Sequence, residues 1–161
     1  MRSIALKLKK GNSKMKIENN KDHINITFLC YAKDSLDCPS NLVDKENCVE
    51  IYYNFNDWDG WGSVTGEYFL TRDIKALAEG FSKILYGTEA SLKHVGPFPF
   101  KGVTDPFYTF QVNRQEDEVT VSLEIHDSLC DYVTVTETMD LSKFEEITKE
   151  FKEAARKYPV K

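Results

Sequence analysis

The chain has 161 residues, with 21 Lys and Arg against 26 Asp and Glu, for a formal net charge of −5. Its 41% hydrophobic and 29% charged residues describe a globular chain of about one domain, not a disordered or fibrous one. The negative charge excludes a generic basic nucleic-acid binder, and no apolar run approaches the ~20 residues that a membrane-crossing helix needs.

Residues 4–9 alternate, with Ile4, Leu6 and Leu8 on one face and Lys7 and Lys9 on the other, as in a half-buried strand. Lys7 also interrupts the apolar stretch that a secretory signal requires, so the chain reads as cytoplasmic. After the turn signal Gly11-Asn12-Ser13, Met15 and Ile17 mark a second strand, and the two are expected to form an opening hairpin. Residues 24–31 form the next strand, with Ile24, Ile26, Phe28 and Cys30 sharing a face. A polar loop over 34–47 precedes a strand over 48–55 with Val49, Ile51, Tyr53 and Phe55 inward. Residues 56–62 read as a turn carrying Trp58 and Trp61, and 64–69 re-enter extended structure.

A helix is expected over about 71–86, with Thr71 as its N-cap and Leu70, Ile74, Leu77, Phe81 and Leu85 as its apolar stripe. Gly80 weakens it by about 1 kcal/mol relative to Ala, and Gly87 fits a left-handed C-terminal cap. Residues 91–95 read as a strand. The prolines of Gly96-Pro97-Phe98-Pro99-Phe100 exclude a central strand there. Strands over 107–112, 119–125 and 132–138 suggest an antiparallel meander, the middle one placing Val119, Val121, Leu123 and Ile125 inward. A second helix over about 141–158 is capped by Asp140 or Ser142, Ser142-Lys143-Phe144-Glu145 matching a capping box. No internal repeat is visible. The expected fold is a single α+β domain over 1–161: mostly antiparallel sheet, about eight strands, one inserted helix and one terminal helix.

The motifs of catalysis are missing. His23, His94 and His126 lie on different elements without metal-ligand spacing, although His126-Asp127 could meet Asp131 across a turn. There is no nucleophile elbow, and Gly60-Trp61-Gly62 lacks the lysine and helix of a phosphate loop. Cys30, Cys38, Cys48 and Cys130 form no C-x-x-C pair. Cys30 and Cys130 read as small buried hydrophobes, while Cys38 and Cys48 would bridge only in an oxidising compartment. No cofactor or metal is expected.

Charge is unevenly distributed. Residues 1–16 hold six basic and no acidic side chains, 34–59 seven acidic and one basic, and 115–131 six acidic and no basic. Two acidic segments of this kind attract basic partners and speed their encounter. The candidate contact residues are Asp57 and Asp59 in one segment and Glu116, Asp117 and Glu118 in the other. Trp58 or Trp61 would be an apolar anchor, while the other indole covers the end of the core.

The order of motifs supplies a further clue. Tyr52-Tyr53-Asn54-Phe55-Asn56-Asp57-Trp58-Asp59-Gly60-Trp61 is followed by an extended segment, by Asp73-Ile74-Lys75-Ala76-Leu77, and by Leu85-Tyr86-Gly87. Met139-Asp140-Leu141-Ser142-Lys143-Phe144 then opens a last helix ending in Tyr158-Pro159-Val160. Over residues 24–161 this resembles the WapI-type immunity proteins of bacterial polymorphic toxin systems. It departs from them at Asp140-Leu141-Ser142, where that family has an Asp-Gln-Thr-like start, and in the 34–47 and 97–106 loops. The resemblance implies a cytoplasmic, non-catalytic protein that binds and blocks the C-terminal domain of a contact-delivered toxin, often a nuclease. It offers no catalytic residues to carry over, and no nucleic-acid partner, membrane partner or cofactor is expected. An acidic inhibitor suits such a partner, because a nuclease presents a basic surface to phosphates. Two other readings remain: a β-rich domain binding a small molecule or lipid in an apolar cavity between sheet and helices, and a metal-assisted hydrolase using His94, His126 and nearby carboxylates.

Overall fold

The computed structural model describes residues 12–36, 38, 40, 42, 44–57, 60–96, 107–126 and 132–161. Four strands lead into a helix, twice over. The first half is β1 (Lys14–Glu18), β2 (His23–Tyr31), β3 (Cys48–Asp57), β4 (Gly60–Leu70) and α1 (Thr71–Leu85). The second is β5 (Ser91–Gly96), β6 (Phe107–Gln115), β7 (Glu118–His126), β8 (Tyr132–Asp140) and α2 (Leu141–Lys157). The strands form two separate antiparallel sheets, β1-β2-β3-β4 and β5-β6-β7-β8. The α+β class, the strand number and both helices thus agree with the sequence pattern. The repetition lies in the element order, which residue-by-residue comparison does not reveal. The expected strand over 4–9 lies outside the described residues, and β1 pairs with β2, Ile17 opposite Ile24.

One continuous apolar core joins both sheets and both helices. α1 buries Ile74, Leu77, Phe81 and Ile84, and α2 buries Phe144, Ile147, Phe151 and Ala154, each a stripe at helical spacing. Of the residues expected in the α1 stripe, Leu70 and Leu85 are only half-buried, and Ile84 is buried beside Leu85. Phe81 is the hinge of this core. Its ring stacks on Phe144 at 5.3 Å and meets Phe151 edge-on at 4.9 Å and Phe110 at 6.3 Å. Phe28 extends the cluster from β2 to Phe151 and Phe69, both at 6.0 Å. Such ring pairs add about 0.5–1.5 kcal/mol each beyond their buried area.

Two register shifts break the strict alternation of the first sheet, between Phe28 and Cys30 and between Ile51 and Tyr53. A bulge adds one residue on one side of a pair and re-aims the side chains after it. Leu29 is therefore buried alongside Phe28, and Cys30, expected in the core, is only half-buried with its thiol 3.8 Å from the Glu50 carboxylate. Glu50 does lie on the outer face, as expected, but it is buried there, on the side of its strand where Ala32, Leu42, Cys48 and Tyr68 form a second, smaller apolar cluster.

Both helices start on the residue that follows their strand. At α2 the Asp140 carboxylate accepts the Lys143 N–H at 2.8 Å, so Asp140, not Ser142, is the cap. At α1 the cap position is Leu70, and Thr71 is already helical. Leu70 has no side-chain acceptor, and Asn47 takes over that role. Its carbonyl accepts the Thr71 N–H at 2.8 Å, and its side-chain oxygen accepts the Thr71 hydroxyl at 3.2 Å. Gly87, at φ +78°, follows α1 in the left-handed conformation expected of it.

Candidate interaction surface

The β6–β7 hairpin carries the best-defined group of acidic residues. Gln115 pairs with Glu118, leaving Glu116 and Asp117 as a two-residue turn. Such turns need positive φ, and Glu116 adopts φ +54° without the freedom of a glycine. Arg114 holds it there. Its Nε donates to the Glu116 carbonyl at 2.7 Å. Its Nη1 donates to the carbonyls of Ile84 and Leu85 at 3.0 and 2.8 Å. These carbonyls lie at the C-terminus of α1, where the helix dipole favours a cation; that of Ile84 also accepts the Gly87 N–H at 3.2 Å. One guanidinium therefore ties the acidic turn to the end of a helix.

Residues 115–118 are all exposed, while Val112 and Val119 on either side are buried. A slip of one residue would expose these valines, so the pattern of the hairpin fixes its register. Opposite Glu118 on β8 lies Asp140, which extends the acidic edge to the start of α2. The expected contact residues Glu116, Asp117 and Glu118 are thus adjacent, exposed and rigidly supported. Arg114 is the residue that sequence reading passes over. Its signal is a single arginine two positions before a run of three carboxylates.

The second expected group lies on the β3–β4 hairpin. Asn56 pairs with Trp61 and Asp57 with Gly60, so strand structure continues through most of what reads as a turn. Trp58 and Asp59 lie outside the described residues. Gly62 stands directly opposite Phe55, and a Cβ there would lie 2.7 Å from the ring. The aromatic ring therefore covers the glycine backbone of the neighbouring strand.

Other candidates resolve differently. Among the described residues no three His, Cys, Asp or Glu side chains gather as a metal site. The His126-Asp127 and Asp131 pairing lies outside the residues whose side chains are described. His94 of β5 lies 3.5 Å from Asp73 of α1, both mostly shielded. Burial pushes His94 down from the usual imidazole value, against the pull of Asp73, and pushes Asp73 up, against His94 and Arg72. Both shifts favour the neutral forms. Cys30, Cys38 and Cys48 are thiols, and Cys130 lies outside the described residues. Burial raises the Cys48 thiol to about 11, with Asp44 and Cys38 adding to the effect, which keeps it protonated near neutral pH. Between sheets and helices, the rings of Phe28, Phe81, Phe110, Phe144 and Phe151 pack against one another in the core. Among the described residues no helix is long and apolar enough to cross a membrane.

Comparison with known proteins adds to this. No curated protein matches the chain. Solved structures share its fold, two of them as follows. One is described as the crystal structure of WHY1 from Arabidopsis thaliana, with a TM-score of 0.52 and 12% identity over 93% of this chain and 92% of that one. The other is described as the structure of the plant transcriptional regulator PBF-2, with a TM-score of 0.51 and 14% identity over 93% of this chain and 84% of that one. At such identities the likeness is one of fold. A family model, in contrast, matches residues 15–159, nearly the whole described chain, and agrees with the motif order from Tyr52 to Val160. The chain belongs to the Immunity protein WapI-like family.

Proposed function

We propose that this protein is a non-catalytic, cytoplasmic immunity protein that binds the C-terminal toxin domain of a cognate partner and neutralises it. Family membership supports the immunity role. The Arg114-braced turn is the observation that carries the choice of surface. A rigid turn presents Glu116, Asp117 and Glu118 with little ordering left to do on binding, which favours affinity. Negative charge focused there would speed encounter with a basic toxin and mimic the polyanion a nuclease recognises. Asp57 and Asp59, with Trp58 or Trp61 as an apolar anchor, form the second part of the proposed footprint.

The test is co-expression of the toxin domain encoded beside this protein, with and without it. Growth restored only by co-expression supports the immunity role, and continued toxicity overturns it. Charge reversal at Glu116, Asp117 and Glu118 should then slow association about tenfold or more at low salt and far less at high salt. Unchanged association would place the interface elsewhere while leaving the immunity role intact.

A further inference from the structure

The two helices leave a groove between them on the outer surface, about 610 Å³ in volume. Its floor is apolar and shallow: Ala78 of α1, Ala155 of α2, and Pro159 and Val160 of the segment after α2. Val160 is 49% exposed, a large apolar side chain left in water. Its rim is cationic, with Lys75 and Lys83 from α1 and Lys152 and Arg156 from α2, against a single carboxylate, Glu79. The groove lining is therefore +3 (four cations less one carboxylate) on a chain that is −5 overall.

We propose that this groove docks an acidic amphipathic segment of a protein partner, its apolar residues on the alanine floor and its carboxylates between the two cationic rims. The surface is distinct from the acidic turn, and the proposal holds whether or not that turn contacts a toxin.

The rim cations have only weak claims on them. Lys75 meets Glu79 at 3.9 Å, Lys83 meets Glu89 at 3.5 Å, and Arg156 pairs with Glu153. All six side chains are about half exposed or more, and such pairs contribute roughly 0–1 kcal/mol, so an incoming carboxylate can exchange for them. Lys75 and Lys83 are eight residues apart, about 12 Å along a helix, which accommodates about two turns of a third helix. Small residues on the floor allow its backbone to approach.

The alternatives fit less well. Residues 1–11 of the chain itself carry Arg2, Lys7, Lys9 and Lys10 and no carboxylate, the same sign as the rim. A second copy would offer its acidic turn, where residues 115–118 supply no apolar anchor. A nucleic acid would need aromatic stacking surfaces, and Tyr158, the one ring of the lining, is 4% exposed with its hydroxyl bonded to the Leu29 carbonyl.

The experiment uses the full-length ¹⁵N-labelled protein and three probes. One is a helical peptide of about four turns with Leu at i, i+3 and i+4 spacing and Glu elsewhere. The others are the same peptide with Lys for Glu, and an oligothymidine of about 15 nucleotides. The acidic peptide should shift amides of α1, the C-terminal half of α2 and residues 158–160. The K152E/R156E variant, both positions being exposed, should keep a cooperative urea transition, lowered only by loss of the Glu153 pair and of a cation at the helix end. It should keep its amide spectrum outside the groove and bind this peptide about tenfold or more weakly. Equal binding of the Lys peptide, tighter binding of the oligonucleotide at the same amides, unchanged affinity of the variant, or no groove shifts at roughly millimolar peptide would each overturn the proposal.

Discussion

Arg114→Ala tests how the acidic turn is held. The substitution removes three hydrogen bonds donated by one half-buried guanidinium: to Ile84 at 3.0 Å, to Leu85 at 2.8 Å and to Glu116 at 2.7 Å. Charge-assisted hydrogen bonds contribute about 1.5–3 kcal/mol each when buried. Here water can replace part of each, and the three share one side chain, so they do not add. Loss of the cation at the helix C-terminus costs a further ~0.3–1 kcal/mol. The expected total is about 2–3 kcal/mol, or roughly 4–12 °C in Tm for a chain of this size. Urea unfolding at neutral pH measures it, with the m-value unchanged. Arg114→Lys separates charge from geometry, since an ammonium keeps the dipole contribution but cannot span three acceptors. It should recover less than half of the loss. A loss below about 0.5 kcal/mol in the alanine variant, or full recovery with lysine, would refute the bracing role.

Three other predictions follow from the fold. Gly62→Ala should cost about 1–3 kcal/mol in urea unfolding, because the new methyl group meets the Phe55 ring at 2.7 Å and displaces it from Tyr53; an unchanged midpoint would mean the ring moves freely. Asp140→Ala should cost about 1 kcal/mol through loss of the α2 cap, while Ser142→Ala should cost close to nothing; the reverse order would restore the capping-box reading. With its folded-state value below the unfolded 6.5, His94 binds more protons unfolded than folded, so it makes stability fall as pH drops below about 6.5. Asp73, raised by burial, acts in the opposite sense nearer the carboxylate range. His94→Gln should flatten the urea-midpoint profile between about pH 5 and 6.5, and an equally steep profile in that variant would assign the slope to other groups.

Periodicity made most of the architecture legible. The stripe of α1 and the alternation of β7 are strong local patterns: β7 buries all four residues indicated, and α1 buries Ile74, Leu77 and Phe81 but leaves Leu70 and Leu85 at its ends half-buried. What the patterns could not show was long-range. The split into two sheets depends on pairing partners, which an alternating strand does not name. The helix caps shared the same ambiguity: Thr71 has the right chemistry for a cap, but the strand runs one residue further and an asparagine 24 positions away supplies the acceptor. The burial of Leu29 and the displacement of Cys30 follow from a bulge, and that of Glu50 from a second apolar cluster on the outer face of its strand; neither leaves a simple trace in composition. At the proposed surface, the acidity of residues 116–118 was plain. Its rigidity was not, because it depends on carbonyls about 30 residues earlier in the chain. The groove was equally hidden, since its two rims come from helices separated by residues 86–140.

The Phe81 cluster also bears on how the chain can open. Phe81 belongs to the first run of four strands and a helix, whereas Phe110, Phe144 and Phe151 all belong to the second. Neither run can bury its helix stripe alone, so the apparent duplication in architecture is not a duplication of folding units. Amides in the middle of α1 and α2 should therefore exchange with solvent through one shared opening event, at the same free energy and with the same denaturant dependence, although their sequences lie some 70 residues apart.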